Sequence, residues 1–344
     1  MRFHQQRKRR RNSQGILLFI VMRRMFGCQL RRLRPLMKTK IIIGTRGSKL
    51  ALWQAGWVRT ELLQKHRDLE VELKIIKTKG DKILDVPLAK VGGKGLFVKE
   101  IEEALIENRI DMAVHSMKDM PAETLEGLTI GAIPERENPR DVLISKNGLF
   151  LSGLPKNSRI GTSSLRRMAQ LKHIRPDLVI LPLRGNLDTR IKKLDSGEYD
   201  AIILAAAGIK RLGLEKLITE YLDEETMLPA VGQGALCIEI RENDPKISGY
   251  TTALNHSLTS AVVLGERAFL KRLEGGCQIP IAGHGKTDNN NFMITGLVSD
   301  LDGKIVLKDK LTGPLESSES IGIALADRLL SMGAKKLLEN LVAL

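Results

Sequence analysis

Lys40-Ile41-Ile42-Ile43-Gly44-Thr45-Arg46-Gly47-Ser48-Lys49 decides the fold. A β-rich run breaks at Gly-Thr, and helical spacing follows from Lys49 to about Lys65. The same transition recurs at Ile160-Gly161-Thr162-Ser163-Ser164-Leu165, which again ends a short strand and opens a helix. Outward from the first copy, Val71–Thr78 alternates as a strand and Asp111–His115 forms another. Between them Leu96–Asn108 is amphipathic, with Phe97, Ile101, Ala104 and Leu105 at helical spacing. Asp111-Met112-Ala113-Val114 is echoed by Asp200-Ala201-Ile202-Ile203, each following a helix. Strands alternating with helices of this length predict parallel α/β architecture. The two echoes predict two similar α/β domains.

The first domain is expected over residues 38–135 and the second over 140–228, with Pro134 to Arg140 as the crossing. Gly232-Gln233-Gly234 then leads into an alternating strand, Ala235 to Ile240, expected to return to the first sheet within residues 231–250. Residues 257–344 read as a smaller α+β domain. It holds one helix, two or three strands and a last amphipathic helix from about Ile321 to Leu341.

The 344 residues are 42% hydrophobic and 28% charged, which is globular and neither disordered nor low-complexity. The longest apolar run near the N-terminus, Gly15 to Met22, is far short of the ~18–20 residues a membrane span needs. Cys28, Cys237 and Cys277 form no CxxC pair, and no two histidines lie three or four apart. No disulfide framework and no metal site is therefore expected, and a reducing, cytoplasmic compartment fits. The net charge of +15 is concentrated in residues 1–36, which hold ten arginines and Lys8 and no acid. The remainder carries 44 bases against 40 acids, so no nucleic-acid partner is expected. Residues 1–37 read as a basic disordered extension, or as an over-long start before Met37. A transit peptide, which would place the protein in a plastid or mitochondrion, is the alternative.

Basic and hydroxyl residues cluster just after the strands, at the sheet edge where α/β proteins bind ligands. Arg46 and Ser48 follow the first strand; Ser116, Lys118 and Asp119 follow Asp111–His115. Thr162, Ser163, Ser164, Arg166 and Arg167 follow Arg159–Gly161. Arg184, Asn186 and Arg190 follow Leu178–Leu183, and Lys210 and Arg211 follow Ala201–Ala207. A guanidinium grips carboxylate or phosphate with two hydrogen bonds, so many of them around one cleft imply a ligand of many negative charges. No GxxxxGK[ST] loop is present, and Gly232-x-Gly234 lacks a third glycine, so carboxylates are favoured over nucleotide phosphates. Asp119 is a lone acid among these bases. It is either a turn or N-cap aspartate beside Pro121, or an ionised group facing a developing cation. Lys90, Gly92, Gly93, Lys94 and Gly95 read as a lid over an anion or as a plain surface loop. Trp53 and Trp57, four apart on a helix, are expected in the core. Cys237 falls in an apolar strand. Cys277, in Glu274-Gly275-Gly276-Cys277-Gln278, is either an accessible nucleophile or attachment point, or a bystander.

Seven segments in order resemble the porphobilinogen deaminase family, from about Lys40 to Ile281. They are Thr45–Gln54, Gly92–Glu100, Val114–Asp119, Gly161–Arg167, Leu183–Asn186, Leu228–Gly234 and Leu273–Cys277. The resemblance implies two domains built like periplasmic binding proteins around a cleft, plus the smaller C-terminal domain. It implies a dipyrromethane cofactor joined by thioether to Cys277, and porphobilinogen as substrate. Four porphobilinogens would be condensed into the linear tetrapyrrole hydroxymethylbilane, one ammonia leaving at each addition. Each pyrrole bears an acetate and a propionate, which accounts for the bases. By the resemblance, Asp119 is the catalytic group, and Arg46, Ser48, Lys118, Thr162, Ser163, Ser164, Arg166, Arg167, Arg184, Arg190 and Arg211 hold carboxylates. Ser116 and Asn186 join them by position. Lys90 and Lys94 belong to a flexible loop, and a monomer is expected. A non-catalytic anion-binding protein of the same architecture is the competing reading.

Overall fold

The computed structural model describes residues 39–82, 95–273 and 279–342. Strand β1 (Thr39–Thr45) buries Ile41 and Ile43 before the chain turns at Arg46 and Gly47. Ser48 then caps the helix Lys49–Lys65 by accepting from the Ala51 amide at 3.2 Å. Next come β2 (Leu69–Ile75), a helix at Lys99–Ile106, β3 (Met112–Ser116) and β4 (Leu128–Ala132). That helix starts later than its apolar spacing predicts, because residues 95–98 form a turn instead.

The second set is β5 (Asp141–Ser145), β6 (Arg159–Gly161), the helix Leu165–Ile174, β7 (Val179–Leu181) and the helix Leu187–Asp195. It ends with β8 (Ala201–Ala205), the helix Ala206–Arg211 and β9 (Glu220–Tyr221), and β10 (Leu236–Arg241) follows. One sheet has the order β2-β1-β3-β10-β4 and the other β7-β6-β8-β5-β9. Position for position, the two orders correspond. The echoes in sequence are thus echoes in topology.

The expected parallel α/β sheets are found with one qualification, a reversed strand in each. β1 pairs with β3 in parallel, as β6 does with β7 and β8, but β10 runs antiparallel to β3 and β4. In the second sheet β5 is antiparallel to β8. The cause is the route of the chain. Each reversed strand enters its sheet from the other lobe: β5 directly after β4, and β10 directly after β9. Two crossings therefore join the lobes, and both run beside the strand ends that carry the basic residues.

The C-terminal region is an antiparallel sheet of β11 (Ile281–Asp288), β12 (Asn291–Ser299) and β13 (Val306–Pro314). The helices Ser257–Arg272 and Ser318–Leu329 cover it around Phe269, Phe292 and Leu325. The single last helix expected from about Ile321 is interrupted near Gly333 and resumes at Lys335–Val342. The described residues from Lys40 onward form one compact unit. Among the described residues no helix is long and apolar enough to cross a membrane.

Candidate active site

After β3 the chain makes one tight helical turn, Met117–Asp119, which leaves Lys118 and Asp119 half-buried at the sheet edge. Two elements hold the turn from behind. The Met117 amide donates to Ala235 O, and Arg267 of the helix Ser257–Arg272 donates to Ala122 O at 3.1 Å. Asp119 ends the turn without capping a helix, and its carboxylate makes no hydrogen bond or ion pair with any described residue. It remains a lone acid.

Across from it, Ser164 caps the helix Leu165–Ile174, whose first turn carries Arg166 and Arg167. Both guanidiniums are buried and share one carboxylate. Arg166 Nη1 donates to Asp141 Oδ2, and Arg167 Nη2 to Asp141 Oδ1, each at 2.7 Å. Arg166 also reaches Leu228 O, and Arg167 reaches Ile203 O. Burial works to raise the Asp141 pKa, but the two guanidiniums outweigh it and hold the carboxyl well below the usual range. Three formal charges in this knot sum to +1, so a positive charge is left over at the strand ends.

That excess is felt nearby. Burial, then the positive charges of Arg167 and Arg166, push Lys118 down to about 8 against the opposing pull of Asp119 and Asp141. Burial and the neighbours Arg167 and Arg184 bring Arg190 down to about 10, again opposed by Asp119. Arg190 Nε donates to Gly185 O at 2.9 Å, while Arg184 makes no ion pair among the described residues. Arg211, pushed by burial to about 10, donates to Gly234 O at 2.7 Å and lies 6.0 Å over the Trp53 ring. Arg46 stacks 4.3 Å over Phe97. Lys49 pairs with Asp188 between the lobes at 2.6 Å, so the two strand-end edges face each other. The structure thus gathers residues from both lobes around a surplus of positive charge.

The hydroxyl and amide candidates are tied to backbone or to neighbours. Asn186 caps the helix Leu187–Asp195, and Ser116 accepts from Gln54 Nε2 at 2.9 Å. Thr162 accepts from the Ser164 amide, and Ser163 exchanges two hydrogen bonds with Leu183. As caps, Ser48 and Ser164 use only acceptor capacity and keep a hydroxyl proton to donate. Trp53 is 39% exposed, contrary to its expected core position, because its face of the helix looks across to Arg211. Lys90, Lys94 and Cys277 lie outside the described residues, as do Cys28 and the rest of the basic N-terminal segment.

Sequence reasoning missed Asp141 and Gln233, both buried. It also missed Glu266, a fully buried acid on the helix Ser257–Arg272. Glu266 accepts from Arg136 at 2.6 Å and from the Gly232 and Gly285 amides at 2.7 Å. The available signal was an acid opening the apolar run Asp141-Val142-Leu143-Ile144.

A family model described as porphobilinogen deaminase, dipyromethane cofactor binding domain, matches residues 41–249, and one for the C-terminal domain matches 261–331. The porphobilinogen deaminase of Pelobacter propionicus is 54% identical over 298 residues, 87% of this chain and 96% of its own. Those of Geobacter sulfurreducens and Carboxydothermus hydrogenoformans are 53% and 52% identical, over 87% and 89% of this chain and 94% and 98% of theirs. Among solved structures, a probable amino-acid transporter extracellular-binding protein of Bacillus subtilis aligns with a TM-score of 0.39 at 14% identity. That alignment covers 63% of this chain and 90% of the other.

Proposed function

The chain belongs to the porphobilinogen deaminase family, and from that premise we propose that it condenses four porphobilinogens head to tail into hydroxymethylbilane. Such an enzyme is a transferase that releases one ammonia at each addition. The observation that carries the reading is the net surplus of positive charge that both lobes bring to the Asp119 carboxylate. A polypyrrole of acetates and propionates supplies negative charge to Arg184 and Arg190, which form no ion pair among the described residues.

The same surplus fits the family's dipyrromethane cofactor, itself two linked pyrroles with four carboxylates. That group supplies a fixed primer on which the chain of pyrroles grows, and Cys277 is the proposed thioether anchor. The residues around it have separable tasks. Arg46, Lys118, Arg184, Arg190 and Arg211 bind carboxylates, with Ser48 and Ser164 donating their free hydroxyl protons. Arg166 and Arg167 lie deeper, so their part is to set the local potential and to contact carboxylates from below. Asp119 accepts pyrrole N–H bonds and balances the positive charge that develops as ammonia leaves the substrate's methylene carbon. We assign residues 38–135 with 231–250, 140–228 and 257–344 to three domains, and Lys90 and Lys94 to a loop over the cleft. We place the enzyme in the cytoplasm as a monomer acting without nucleic acid.

Incubation with porphobilinogen, followed by acidification and oxidation, tests this. Porphyrin absorbance is expected; unconsumed porphobilinogen and no porphyrin would leave the anion-binding reading standing. A pH dependence follows from Lys118. Raising the pH through about 8 removes its proton and with it one charge-assisted contact. KM for porphobilinogen should therefore rise roughly tenfold between neutral and distinctly alkaline pH, a contact of this kind being worth about 1.5–3 kcal/mol. A constant KM across that range would take Lys118 off the substrate.

A further inference from the structure

The pair Gly232 and Gly234 has a steric explanation in the fold. Both have positive φ, +68° and +90°. A Cβ on Gly232 would stand 2.5 Å from Met117 Cγ, and one on Gly234 would stand 2.3 Å from Glu137 O. The second crossing is thereby threaded between the turn that carries Asp119 and the first crossing. Between these glycines sits Gln233, 1% exposed.

Its side-chain amide has a partner in each lobe. Oε1 accepts from Lys118 Nζ at 3.3 Å, on the Asp119 turn. Nε2 donates to Asp141 Oδ1 at 3.0 Å and to Pro139 O at 2.6 Å, at the entry to the second lobe. The backbone is pinned as well, since Arg136 Nε donates to Gln233 O at 2.8 Å. An amide has one accepting and one donating end. With a cation on one side and a carboxylate on the other, only one orientation satisfies both.

We infer that Gln233 is a positioning residue, whose buried amide holds the Lys118 ammonium in the cleft and ties it to the Asp141–Arg166–Arg167 knot. The assignment deepens the reading of the site given above, but it concerns the chain's own hydrogen bonds and its test needs no turnover. Among the described residues, the charged groups facing Lys118 are Asp119 on its own turn, Asp141 on β5, and Arg166 and Arg167 on the helix Leu165–Ile174. None of them changes in the variants below, so a shift in Lys118 titration reports on position 233.

The experiment is reductive methylation of the purified protein across a pH series, with labelling at Lys118 read by peptide mass. Gln233→Leu removes the acceptor, so the Lys118 midpoint should fall, by about one pH unit for a charge-assisted bond. Gln233→Glu keeps an acceptor and adds a negative charge, so the midpoint should rise by a similar amount. Opposite shifts support the assignment. Midpoints that stay with the wild type, or move together in one direction, overturn it, whatever the porphobilinogen assay shows. If Gln233→Leu does not fold, Gln233→Glu decides alone: an upward shift supports the assignment, and an unchanged or lowered midpoint overturns it.

Discussion

Asp119→Asn should fold like the wild type and turn over about 10²–10³ times more slowly, the usual cost of losing one preorganised electrostatic partner of the transition state. The folded state loses little, because the Asp119 carboxylate makes no hydrogen bond or ion pair with a described residue, and the asparagine is the same size. The reaction loses the one negative charge set against the cation formed as ammonia departs. A second effect follows in the same variant. Asp119 opposes the downward push on both Lys118 and Arg190, so neutralising it lowers both pKa values further. The Lys118 ammonium is then lost at a pH below about 8, and the alkaline fall in substrate affinity should begin earlier. Melting curves and initial rates check the pair of expectations. Turnover within a few-fold of wild type would move the charge-balancing role to another residue.

The second large effect is on stability. Asp141→Asn leaves Arg166 and Arg167, both about 5% exposed, without the carboxylate they share. Breaking a buried pair by removing one partner typically costs about 3–5 kcal/mol, since the remaining charge stays buried and uncompensated. Here two charges are stranded, and Gln233 loses an acceptor as well. Chemical denaturation should show a loss of that size. A variant as stable as wild type would mean that solvent reaches the two guanidiniums. Arg166→Leu and Arg167→Leu each leave Asp141 one cation, so each should be milder in stability and still impair chain growth. Normal activity in both leucine variants would remove these arginines from the site.

What the sequence disclosed was local. The strand, the Gly-Thr break and the capping serine lie within ten residues, so both β-to-helix turns and the strand-end bases could be read without the fold. The return of β10 was legible from its alternation after Gly232-Gln233-Gly234. What remained hidden depended on contacts distant in sequence. Asp141 meets Arg166 and Arg167 only because β5 enters its sheet reversed, and no local spacing states that direction. Gln233 lies 115 residues from Lys118 and 92 from Asp141, and its neighbours are set by two chain crossings. Trp53 fits a helical apolar stripe, and the facing lobe with Arg211 gives its exposed ring a polar neighbour. The glycines at 232 and 234 looked like a defective phosphate loop because steric crowding, rather than a ligand, is what selects them.

The most direct test of the account is the intact mass of the purified protein and of its cysteine variants. Cys237 is fully buried, and burial pushes its thiol far up, so it offers no thiolate for attachment. Cys28 lies in the basic N-terminal segment, away from every motif of the family. Only Cys277, flanked by Gly275 and Gly276, stands in a matching motif. The wild type and the Cys237→Ala and Cys28→Ala variants should each weigh more than the bare chain by two linked pyrroles. Cys277→Ser should carry no added mass and form no hydroxymethylbilane. An adduct that survives the loss of Cys277, or an active wild type with no adduct, would contradict the account.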